Sequence, residues 1–138
     1  MKCDFKNGGT IASVVDGYDA FLLGDVYDKT SSDILYIVSN GITLENTVDL
    51  LHTLYPTVEV FKLPAWDTVP YDRVSPNVSI IAERVQTLCE LAKHQTAKKP
   101  RIIVASVGAV MQKLPLKKIF LNAIKEVKVG GELNFDDF

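Results

Sequence analysis

Two rhythms of apolar residues alternate along the chain. The first is the short continuous run. Ile34-Leu35-Tyr36-Ile37-Val38 is apolar without a break and rich in β-branched residues, which suits a strand buried on both faces. Val58-Glu59-Val60-Phe61-Lys62-Leu63 and Arg101-Ile102-Ile103-Val104-Ala105-Ser106 predict two further strands. The second rhythm is helical. Leu44, Val48, Leu51 and Tyr55 follow the i, i+4, i+7, i+11 spacing, and predict a helix from Ser39-Asn40-Gly41 to about Leu54. Asp16 is placed to cap a helix over Gly17–Tyr27 with Ala20, Phe21, Leu23 and Val26 as its apolar side, although Gly24 weakens its middle. Ser75 as cap and Pro76 at the first helical position predict a helix to about Gln95, with Ile81, Val85, Leu88, Leu91 and Ala92 on one stripe. A short helix over Val107–Lys113 is stopped by Leu114-Pro115, and a fourth strand is expected over Ile124–Val129, closed by Gly130-Gly131.

Strand and helix in alternation mean parallel pairing with right-handed crossovers. The expected fold class is therefore α/β: an open, mostly parallel sheet with helices on both faces. Ligands bind such sheets outside the carboxyl ends of the strands. Here those ends lead into Ser39-Asn40-Gly41, the 64–76 segment and Ser106-Val107-Gly108. The 138 residues suit one domain, residues 1–138, and at this length about two-thirds of the surface can be buried. At the end of the chain, Asn134 with Asp136-Asp137 reads as the start of a helix over 134–138 that has no turns to bury. Two readings fit that ending: a frayed tail, or a piece of a longer multidomain protein.

Composition narrows the class without naming a function. Hydrophobic residues make up 47% and charged residues 23%, so disorder, collagen and coiled coil are excluded as the main class. No apolar run approaches the ~20 residues of a membrane span, and the first residues hold no apolar stretch of secretory type, so no signal peptide is expected. Cys3 and Cys89 have no partner pattern and read as reduced thiols, hence a cytoplasmic expectation. Nothing in the sequence demands a dimer, so a monomer is expected. The net charge of −2 conceals an asymmetry: residues 1–92 carry 6 basic and 13 acidic side chains, residues 93–138 carry 9 and 4. The basic half has two clusters, Lys93, Lys98, Lys99, Arg101 and then Lys113, Lys117, Lys118, Lys125, Lys128. Either they face phosphates or they are solvated loops and helix ends. No aromatic residue interleaves the lysines as a base-stacking surface requires, which favours solvation.

Catalytic patterns are absent. No phosphate loop of the G-x-x-x-x-G-K-[ST] type occurs, and no G-x-G-x-x-G. His52 and His94 lie 42 positions apart without neighbours at metal-ligand spacing, so no metal site is expected. Ser106-Val107-Gly108 is not a nucleophile elbow. The most unusual segment is 64–76, which holds Trp66, the only tryptophan, with Tyr71, three prolines, Asp67 and Asp72. The prolines restrict its path. It reads equally as a recognition loop or as a rigid connection that plugs the end of the sheet.

That loop, with the helix and strand after it, resembles the N-terminal domain of the bacterial transcription-repair coupling factors (Mfd). The matching residues are Leu63-Pro64-Ala65-Trp66-Asp67-Thr68-Val69-Pro70-Tyr71-Asp72, then Ser75-Pro76, Ile81, Arg84 and Leu88, then Ile102–Val107 and Met111-Gln112. The resemblance covers about Gly17 to Phe135. The same region is similar to the first domain of the excision-repair helicase UvrB, which carries a working phosphate loop. Here Gly17-Tyr18-Asp19 stands at the G-K-[ST] of that loop. Tyr18 replaces the lysine and Asp19 the hydroxyl, and a carboxylate facing phosphates is repulsive. The resemblance thus implies a degenerate phosphate-loop helicase fold that is not an enzyme in this fragment and holds no cofactor. ATP binding and DNA translocation would belong to a parent protein. It further implies a part in transcription-coupled nucleotide excision repair. The implied partners are other domains of the parent, RNA polymerase, DNA and the damage-recognition subunit of excision repair (UvrA). Trp66, Asp67, Tyr71, Asp72, Ser75 and Arg84 are the expected interaction or interdomain residues. The alternatives are an ATP-dependent motor domain of the UvrB kind and a free-standing α/β ligand-binding domain.

Overall fold

The computed structural model describes residues 8–69, 73–93, 99–124 and 130. Three strands form one parallel sheet: β1 (Ile34–Val38), β2 (Val60–Leu63) and β3 (Ile102–Ser106), in the order β1-β3-β2. β3 lies in the centre, with Ile34 opposite Ile102 on one side and Val60 opposite Ile102 on the other. Its burial follows from that place, since all five of its residues are buried. The α/β expectation holds, and every pairing among the described residues is parallel.

The two faces are covered unequally. On one face α1 (Tyr18–Tyr27) and α2 (Gly41–Leu54) bury Ala20, Leu23, Leu44, Val48 and Leu51 against Val38, Ile102 and Val104. On the other, α3 (Val78–Lys93) packs on β2, and a smaller cluster joins Leu63, Ala105 and Ala109 with Leu88. α5 (Lys117–Ala123) rests on α3 rather than on the sheet. β1 is therefore not buried on both faces as its apolar run suggests. Leu35 and Ile37 are 57% and 47% exposed, because β1 is an edge strand and α3 leaves its second face bare.

Local chemistry moves several boundaries. Asn40 caps α2 by accepting from the Thr43 amide at 2.9 Å. Asp16 does not cap α1: Gly17 holds that place at φ 85°, a left-handed backbone, with no side-chain cap. Ser75 and Pro76 do not start α3 either. Asn77 does, accepting from the Ser79 amide at 3.0 Å, so the helix begins at Val78. Gly24, a weak point by propensity, is where the Tyr55 ring crosses α1, and a Cβ there would lie 2.1 Å from that ring. The short helix α4 (Val107–Val110) ends three residues earlier than its pattern predicts. α5 occupies residues for which the apolar pattern predicts no helix. The expected strand from Ile124 lies almost wholly outside the described residues, as do His94 and the 134–138 segment.

Candidate functional site

Two charged side chains mark the places that the sequence singled out. The first is Asp19, in the opening turn of α1. Its Oδ2 accepts from the Tyr36 hydroxyl of β1 at 2.9 Å and from the Thr47 hydroxyl of α2 at 3.3 Å. One carboxylate thus ties two helices to the sheet. Burial, the hydrogen bond to Asp19 and its negative charge together push the Tyr36 pKa up to about 12. The group borders a cavity of about 350 Å³ lined also by Asp16 and Gly17. Two amides of the first turn are already engaged, Tyr18 with the Val15 carbonyl at 3.0 Å and Ala20 with the Gly17 carbonyl at 3.4 Å. Tyr18 lies on the surface against Phe21, with ring centres 5.9 Å apart. The start of α1 is therefore tied to β1 and α2 by a carboxylate and two neutral hydroxyls, which places negative charge at the cavity wall.

The second charged group is Arg84, on the buried side of α3 and only 2% exposed. It donates to the Pro64 carbonyl and lies 4.6 Å over the Trp66 ring. Burial pulls its pKa down. One helical turn on, Thr87 donates to the Lys62 carbonyl at 2.7 Å. These two bonds fix the backbone where β2 passes into the proline-rich loop. Asp67 closes the loop onto α3 by accepting from the Asn77 amide at 3.2 Å. Lys62 clamps the β2 edge, bonding Glu45 of α2 and Glu83 of α3, each at 3.0 Å. Burial pulls the Lys62 pKa down, but the two carboxylates outweigh this and leave it raised.

Of the expected site residues, the structure brings Arg84 onto Trp66, with Arg84 bonded to the Pro64 carbonyl and Asp67 to the Asn77 amide. Ser75 is exposed. Tyr71 and Asp72 lie outside the described residues. Arg101 leaves the basic clusters: it is 6% exposed and grips Asp33, with Nε to Oδ2 at 3.1 Å. Sequence reading missed Tyr36, Thr47 and Asn77. Thr47 gave a signal, since it sits inside the apolar stripe of Leu44, Val48 and Leu51 and is 2% exposed. Among the described residues no group of three His, Cys, Asp or Glu could hold a metal, and no helix is long and apolar enough to cross a membrane.

These features define a small α/β domain whose sheet ends in a proline-rich, tryptophan-bearing loop. No protein-family model matches the chain. It is similar to the transcription-repair-coupling factor of Rickettsia bellii, 26% identical over 100 residues, which are 72% of this chain and 9% of that protein. The namesake of Rickettsia prowazekii is 34% identical over 61 residues, 44% of this chain and 5% of its own length. That of Haemophilus influenzae is 25% identical over 126 residues, 91% and 11% respectively. The chain thus spans about a tenth of the length of the first relative.

Proposed function

We propose that this chain is a non-catalytic module of a transcription-repair coupling protein. The observation that carries the reading is the similarity over most of the chain to proteins of that name. Asp19 supports the non-catalytic half. Where a nucleotide-binding loop needs a cation and a hydroxyl, this chain has a carboxylate bound by Tyr36 and Thr47. On this reading ATP hydrolysis, DNA translocation, displacement of stalled RNA polymerase and recruitment of UvrA belong to the parent protein, and this domain acts as scaffold.

Two measurements test it. Removing this segment from the protein that carries it should slow repair of the transcribed strand after ultraviolet damage, and repair at the unaltered rate would refute the functional assignment. The isolated chain should release no phosphate from MgATP. Release that disappears in Asp19→Asn would make the domain a motor instead.

A further inference from the structure

The sequence argued against nucleic-acid contact because no aromatic residue lies among the lysines. The fold supplies one from elsewhere in the chain. A cleft of about 530 Å³ at the carboxyl ends of the strands is lined by Trp66, Val69, Pro76, Met111, Gln112 and Lys113. That volume lies within the roughly 300–1,000 Å³ of small-molecule sites, and the location is where open parallel sheets bind ligands. Trp66 and Lys113, far apart in sequence, line it together because the loop after β2 and the segment after α4 meet there.

Four features point to one chemistry. First, Trp66 is braced: Arg84 lies 4.6 Å over its ring, and Trp66 lines the cleft while Arg84 does not. A ring already held in place loses little freedom when a second planar group stacks on it. Second, the described lining contains no carboxylate, and Lys113 is its single charge. Lys117 and Lys118, both exposed, follow at the start of α5. Third, the Gln112 Oε1 is buried without a hydrogen-bond partner among the described residues. A turn of that side chain into the cleft would let its amide meet either a donor or an acceptor, and a base edge offers both. Fourth, Met111 is 79% and Val69 70% exposed, apolar surface that a flat ring would cover.

We propose that this cleft takes one nucleobase, stacked on Trp66 beside Met111, with its phosphate toward Lys113. A free nucleoside monophosphate and an unpaired base of a single strand share this chemistry. The site is separate from the Asp19 cavity and involves no triphosphate or magnesium, so it stands or falls apart from the scaffold reading.

Trp66 is the only tryptophan, so its fluorescence reports the site directly. The chain is titrated with adenosine monophosphate, a short deoxyadenosine oligomer, inorganic phosphate and an uncharged apolar peptide. Saturable quenching by a base-bearing probe, with none by phosphate, is expected. Quenching by the monophosphate as strong as by the oligomer assigns a free nucleotide, and quenching by the oligomer alone assigns a strand. Lys113→Glu, an exposed position, should weaken the apparent Kd about tenfold, and the Lys113 contribution should fade as salt is raised. Gln112→Leu should weaken it about threefold, the loss of one modest hydrogen bond. No response to either base-bearing probe overturns the proposal. So does a response that both variants leave unchanged, or quenching by the apolar peptide alone, which would make the cleft a protein-docking site.

Discussion

Asp19 and Arg84 are both ionic groups held by neutral partners, and they behave as opposites. Asp19 borders a cavity and is held by two hydroxyls donated from β1 and α2. Arg84 is sealed between α3, the Pro64 carbonyl and the Trp66 ring. Elsewhere charges meet charges, as Lys62 does between Glu45 and Glu83 and Arg101 with Asp33. The difference lies in access to water. An anion at a cavity wall can recover hydration when a partner is lost. A cation under a tryptophan cannot, and neither can the carbonyl it satisfies. Asp19 therefore organises a surface pocket, whereas Arg84 organises the backbone of a loop.

Truncating Arg84 is the sharpest way to break this contrast. Arg84→Ala should cost about 3 kcal/mol, from a cavity and an orphaned Pro64 carbonyl, read by denaturant unfolding. Trp66 fluorescence should shift to the red as the ring loses its cover. A loss below about 1 kcal/mol would place Arg84 with Asp19 as a dispensable contact. Gly24→Ala comes next, at about 2 kcal/mol, because the new methyl meets the Tyr55 ring and the core must move. It probes the α1 side without touching a charge, and so separates packing from polar anchoring there.

Asp19→Asn should be mildest, about 1 kcal/mol, since an amide oxygen still accepts both hydroxyls. Its clearer signature is in Tyr36. A tyrosine whose folded pKa is raised to about 12 contributes stability that is complete below pH ~10 and is lost as pH climbs through 12. Absorbance titration should therefore show one tyrosine ionising late. In Asp19→Asn its midpoint should fall toward 10 without reaching it, because burial, the largest cause of the rise, remains. A midpoint that does not move would break the assigned link between Asp19 and Tyr36.

Strand positions and the apolar stripe of α2 were legible because they depend on neighbours in sequence. β1 spans Ile34–Val38 as its run predicts, and Leu44, Val48 and Leu51 are buried as their spacing predicts. The faces of β1 were not legible, since a run of apolar residues does not record where a helix on the far side ends. α3 turned likewise. Its buried face includes Arg84 and Thr87 while Val85 is 45% exposed, because both polar side chains reach backbone carbonyls at the end of β2. The start of α3 shifted from Ser75 to Asn77 because Asp67, ten residues earlier, fixes the Asn77 amide.

By itself the sequence determined the α/β alternation and the resemblance carried by the 64–76 segment. Each is a matter of residue type and spacing along the chain. Tertiary structure alone decided that Asp19 would be bound by Tyr36 and Thr47, that Arg84 would brace Trp66, and that Trp66 and Lys113 would line one cleft. Those arrangements bring together residues 17 to 47 positions apart. Their geometry is set by the crossing of helices over the parallel sheet, which local preference does not encode.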